Sequence, residues 1–149
     1  QSIIVLDYAS YDKQTLFFNT KKNICFHLQK IQLNPEQTLR MANNVLECVR
    51  ETHVDITVLF RIRNKEYLDS KEEKDFISCT FIKFNIASKE GTIDGDGIIA
   101  IYPESVDKSA LKEVIDKCKV QVESTKKTKE KLFAFFKCYQ KNVPVHLDY

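Results

Sequence analysis

The chain is expected to be all-α, with about six to seven helices, and three observations point there. Capped amphipathic segments recur from residue 34 onward, strand-like alternation is confined to short stretches, and four of the five cysteines fall at the ends of the amphipathic segments. Cysteines so placed hold helices together when cross-linked. Cys48, Cys79, Cys118 and Cys138 therefore suggest a stapled helical domain.

The first 33 residues are the hardest to assign. Ile3–Leu6 reads as a short strand or an extended arm, while Leu16, Phe17, Thr20, Ile24, Leu28 and Ile31 recur at helical spacing. Residues 1–33 are taken as an N-terminal extension to a core at 34–149. Asn34-Pro35-Glu36-Gln37 then supplies an N-cap, a proline at the first helical position and a capping-box partner. Leu39, Ala42, Val45, Leu46 and Val49 follow on one face, which predicts a helix over 35–51. Val54, Ile56 and Val58 alternate like a strand, but Leu59 and Ile62 restore the helical period, so a helix is expected there. Ser70 with Glu73 opens the next helix, whose broad apolar face carries Phe76, Ile77, Thr80, Phe81 and Phe84. Asp94-Gly95-Asp96-Gly97 reads as a turn capping a short helix at Ile98. Leu111, Val114, Ile115 and Cys118 mark a further helix, and Leu132, Phe133, Phe135, Phe136 and Tyr139 the last.

At 149 residues and 43% apolar content, the chain suffices for one domain with a real core. Three glycines, three prolines and no Ser/Gly-rich or Pro-rich stretch leave nothing that marks a linker, so 1–149 is taken as a single domain. No apolar run approaches the ~20 residues that span a bilayer, and Ser2–Leu6 is too short for a signal-peptide core. A start at Gln1 without Met fits a mature secreted protein. No membrane insertion is expected, and a net charge of +2 is too small to imply a nucleic-acid or anionic-membrane partner. Between Ser105 and Lys141, however, ten lysines stand against five acids. They read as a solvated face or as an anion-binding patch, the former favoured because no arginine or interleaved aromatic accompanies them.

Catalytic and metal readings fail on spacing. With Gly97 as the obligatory glycine of a calcium loop, Thr92 would be the first ligand and Pro103 would fall where the bidentate glutamate belongs. Cys25-Phe26-His27 lacks a third ligand or an orienting carboxylate, and His53 and His146 are isolated. No phosphate loop or nucleophile elbow is present. No catalytic residue, metal or cofactor is assigned, and a binding protein rather than an enzyme is expected. Oxidising export accounts best for cysteines without a Cys-x-x-Cys pair. Cys25 is the odd one, either a shielded thiol, a partner in an altered pairing, or the link of a disulfide-joined homodimer.

The run Cys79-Thr80-Phe81-Ile82-Lys83-Phe84, then Gly91-Thr92-Ile93-Asp94, Ile98-Ile99, Pro103, Val114-Ile115-Asp116-Lys117-Cys118-Lys119 and Phe136-Lys137-Cys138-Tyr139 before Pro144, resembles the insect odorant-binding proteins of the pheromone and general odorant-binding type. The similarity covers about Asn34 to Tyr149. Thirty residues separate Cys48 from Cys79, 38 separate Cys79 from Cys118, and 19 separate Cys118 from Cys138, as between that family's first, third, fourth and sixth cysteines. Its second and fifth, which pair, would fall at Asp75 and Lys129. Both are missing together, the C-minus pattern.

The resemblance implies helices around a closed apolar cavity, with disulfides Cys48–Cys79 and Cys118–Cys138, each worth about 3–4 kcal/mol in the chain-entropy model. It also implies a small hydrophobic ligand, an odorant, pheromone or fatty-acid-like molecule, held by burial of apolar area at about 25 cal/mol per Å². The implied wall draws Leu46 and Leu59 from the first two helices, Phe76, Phe81 and Phe84 from the third, and Ile99 and Tyr102 around the fourth. Leu111 and Ile115 follow from the fifth, then Leu132, Phe135, Phe136 and Tyr139 from the last. The tail would fold back as a lid through Val143, Val145, Leu147 and Tyr149, and Tyr102, Tyr139 and Tyr149 are candidate polar contacts. Asp75 and Lys129, an acid opposite a base, would either form a salt bridge of ~0.2–1 kcal/mol or simply be tolerated on a surface free to splay. A second functional reading on the same scaffold is a secreted salivary or haemolymph protein that binds a macromolecule or host mediator through the lysine-rich surface.

Overall fold

The computed structural model describes residues 29–148, and six helices stand among them. The proposed strand at Ile3–Leu6, the Leu16–Leu28 helix, Cys25 with its homodimer, the Cys25-Phe26-His27 cluster and Tyr149 lie outside the described residues.

Every helix but the last begins at a side-chain cap. Asn34 accepts from the Gln37 N–H at 2.8 Å and the Gln37 side chain returns the bond, starting α1 (Pro35–Thr52), which ends at His53 in the left-handed region. Asp55 caps α2 (Ile56–Arg63), so the helical period beats the strand-like alternation there. Ser70 and Glu73 form the capping box of α3 (Lys71–Lys83). Asp94 accepts from the Gly97 N–H at 3.0 Å to open α4 (Gly95–Ile101). A side chain at Gly97 would meet the Asp94 carboxylate at 2.9 Å, so glycine is required by close approach. Asp107 caps α5 (Lys108–Val122), whereas α6 (Thr128–Asn142) starts at Lys127 with no side-chain cap.

The cross-links fall as the family resemblance implies. Cys48–Cys79 ties α1 to α3 and Cys118–Cys138 closes the α5–α6 hairpin, both with Cα atoms 5.7 Å apart. Helix α6 packs on α3 and α5, α4 lies on α5, and α2 touches α3. The centre is filled by Leu111, Ile115, Leu132, Phe133 and Phe135, each at most 1% exposed.

One local expectation is corrected. Ile31 is not helical: β1 (Gln29–Gln32) pairs in parallel with β2 (Val145–Asp148), Ile31 opposite Leu147. Pro35 bars a helix from running through Asn34, and backbone pairing with the distant tail outweighs the weak helical spacing. The tail does return to the body, since Val143 and Val145 are buried, each 7% exposed.

At the positions of the missing cysteines the Lys129 ammonium lies 2.6 Å from the Asp75 carboxylate, which Lys71 also approaches at 2.8 Å. The salt-bridge alternative is the one adopted. Hydrogen bonds from Lys129 and then Lys71 hold the Asp75 carboxyl below the usual aspartate range. A depressed folded-state pKa contributes stability above the unfolded value of about 3.9 and loses it as pH falls through the lower, folded one. Acid melts should therefore show a stability loss below about pH 4 that is smaller in Asp75→Asn; identical acid profiles would exclude this role.

Candidate functional site

Phe76 and Phe81 on α3, Tyr102 after α4, Leu111 and Ile115 on α5, Leu132, Phe135 and Tyr139 on α6, and Val145 on β2 all lie buried in one apolar core. Leu59, Phe84, Ile99 and Phe136 are half-buried and pack against it. Leu46 is not brought to them: it is 38% exposed, on the outward side of α1.

Helical spacing explains the convergence. Phe135 and Tyr139 are one turn apart, so their rings stack with centroids 6.0 Å apart and 13° between planes. Phe81 crosses from α3 to meet Phe135 and Phe136 edge-on at 6.1 and 6.2 Å. Tyr67 completes the set from the α2–α3 loop, edge-on to Phe133 at 6.0 Å and to Phe136 at 5.8 Å. Such edge-to-face pairs add about 0.5–1.5 kcal/mol beyond area burial. The rings implied as a cavity wall thus form a network that touches itself. Tyr67 carries no signal in the sequence because it sits in a loop, outside any periodic pattern.

Two of the expected polar contacts meet each other. The Tyr102 and Tyr139 hydroxyls are 2.5 Å apart in the core. Burial, and secondarily the neighbouring Tyr102, pushes the Tyr139 hydroxyl far above the usual tyrosine range, so it remains a neutral donor and acceptor. Lys108 donates to the Tyr102 carbonyl and anchors the end of α4. The hydroxyls of Tyr67 and Ser78 are buried without hydrogen-bond partners among the described residues. Burial, with the nearby Glu73 charge, also raises the Tyr67 hydroxyl.

A pocket of about 250 Å³ lies between α4 and α5, with Ile93, Ile99 and Ile115 beneath and Asp94, Asp96, Asp116, Lys112 and Lys119 around it. Only Ile99 and Ile115 of the implied wall reach it. The lysines between Ser105 and Lys141 are partly committed to the fold: Lys112 pairs with Asp116, Lys129 with Asp75, Lys137 with Asp69, and Lys117 donates to Asn142.

Comparison with known proteins agrees with this arrangement. The model of the PBP/GOBP family matches residues 30–142, which span the helical core from β1 to the end of α6. No curated protein matches the chain.

Proposed function

This chain belongs to the PBP/GOBP family, and from that premise we propose that it is a secreted, non-enzymatic carrier of small hydrophobic ligands. The observation that supports the reading is the aromatic core joining α3 and α6, in which Phe81 meets Phe135 and Phe136 and Phe135 stacks on Tyr139, whose hydroxyl meets that of Tyr102. An apolar ligand would displace ring–ring packing and take over its burial, while the Tyr139 hydroxyl offers it one oriented hydrogen bond. Its affinity would scale with the apolar area removed from water, at about 25 cal/mol per Å². Export is consistent with two disulfides and with no described helix long and apolar enough to cross a membrane.

The test is titration with the neutral dye phenylnaphthylamine. Saturable binding with enhanced fluorescence, reversed by fatty alcohols, is the expected result. Tyr139→Phe should weaken alcohols several-fold while leaving the dye nearly unchanged, because only the alcohol uses the hydroxyl. Absence of saturable dye binding to the folded protein would exclude the carrier role.

A further inference from the structure

Helices α3 and α6 run side by side in the same sense. At their N-terminal ends Lys74 meets Glu130 at 3.0 Å and Asp75 meets Lys129 at 2.6 Å, while further along Phe81 meets Phe135 and Phe136. This is the most extensive helix–helix packing of the fold, yet neither disulfide crosses it. Its outer end is held by side-chain ion pairs whose α6 partners, Lys129 and Glu130, are 59% and 46% exposed, against 16% and 18% for Asp75 and Lys74 on α3. Exposed pairs are weak and screened by salt. The first turn of α6 also lacks a side-chain cap.

Behind these pairs lies Ser78. It stands three residues from Asp75 and three from Phe81, and residues so spaced share a helix face. Since Lys74, Asp75 and Phe81 all meet α6, Ser78 faces the same seam. It is 4% exposed and its hydroxyl has no hydrogen-bond partner among the described residues. A buried unpaired hydroxyl is unfavourable, and a hydrogen-bonding group brought to it would recover that loss.

Resting on the carrier reading, we propose that the α3–α6 seam is the route by which ligand reaches the aromatic core. The ion pairs Lys74–Glu130 and Asp75–Lys129 are its gate, and the Ser78 hydroxyl is the polar contact just inside. Side-chain ion pairs suit a gate because they separate without breaking the backbone ladder of either helix.

The test locks the gate. Asp75→Cys with Lys129→Cys, oxidised and verified by mass, should slow association and dissociation of phenylnaphthylamine at least tenfold in stopped flow, with affinity changed less than threefold. Asp75→Ser with Lys129→Ser, which removes the pair without closing the seam, should exchange dye at least as fast as the unaltered protein. Independently of any variant, association should accelerate from low salt to about 1 M, where the Debye length is about 3 Å. Ser78→Ala should weaken dodecanol at least threefold relative to dodecane in dye displacement. Wild-type rates in the cross-linked protein, or rates indifferent to salt, would overturn the gate; equal effects of Ser78→Ala on both competitors would overturn the contact. Failure of the unaltered protein to bind dye would instead remove the carrier reading, and this proposal with it.

Discussion

Phe135→Ala is expected to cost about 3–5 kcal/mol of stability, the range for truncating a fully buried phenylalanine. Phe135 is 0% exposed, edge-on to Phe81 and stacked on Tyr139. Removing the ring leaves a cavity bounded by α3 and α6, and both aromatic partners are deprived of their neighbour at once. Each is already tied elsewhere, Phe81 to Phe136 and Tyr139 to the Tyr102 hydroxyl, so neither can swing in to fill the space. In thermal melts, with roughly 2–4 °C per kcal/mol for a domain of this size, the midpoint should fall by about 10 °C. Far-ultraviolet helicity below the transition should be unchanged, because the ring packs between helices and supports no hydrogen bond within one. A loss under about 1 kcal/mol, accompanied by altered dye affinity, would mean that the ring faces open space rather than its neighbours.

Replacing Cys48 and Cys79 together by alanine should destabilise the protein by about 3–4 kcal/mol, from the chain entropy of a loop closed over 31 residues. The structural consequence should be local to α1. Of its 18 residues only Cys48 is buried, while Leu39 and Leu46 are 63% and 38% exposed, and it packs chiefly on α3. The ion pairs from Lys83 to Glu47 and Glu51 also join α1 to α3, but they are partly exposed and cannot substitute for a covalent bond. Hydrogen exchange should therefore accelerate along Pro35–Thr52 before the rest of the molecule. Removing Cys118 and Cys138 should cost a similar amount without undocking α5 from α6, since Leu111, Ile115, Leu132 and Phe135 hold that pair from within. Equal acceleration of α1 and α6 in the first variant would contradict this division.

Much of the helical frame was legible because its signals are local. Asn34, Asp94, and Ser70 with Glu73, mark helix starts through bonds to the residue three positions on, and the apolar period of 3.6 carries the helices onward. The disulfide pairing came from cysteine spacing read through the family resemblance, and the Asp75–Lys129 pair from the two cysteine positions it occupies. The ambiguous stretch at Val54–Ile62 resolved to α2 once Asp55 capped it.

What the sequence alone determined, then, was which segments are helical, where α1, α3 and α4 begin, and which apolar residues were candidates for the interior. Only the tertiary structure decided that Leu46 stays outside, that Tyr67 joins the rings from a loop, that Glu73 of a surface-type capping box is 0% exposed, and that Tyr102 and Tyr139 answer each other's hydroxyls. It also placed Ile31 in a strand by pairing Gln29–Gln32 with a tail more than a hundred residues away. The division has one physical cause. Capping and helical period are set by bonds and spacing within a turn or two, whereas burial, ring packing and strand pairing depend on which distant segment arrives as the neighbour.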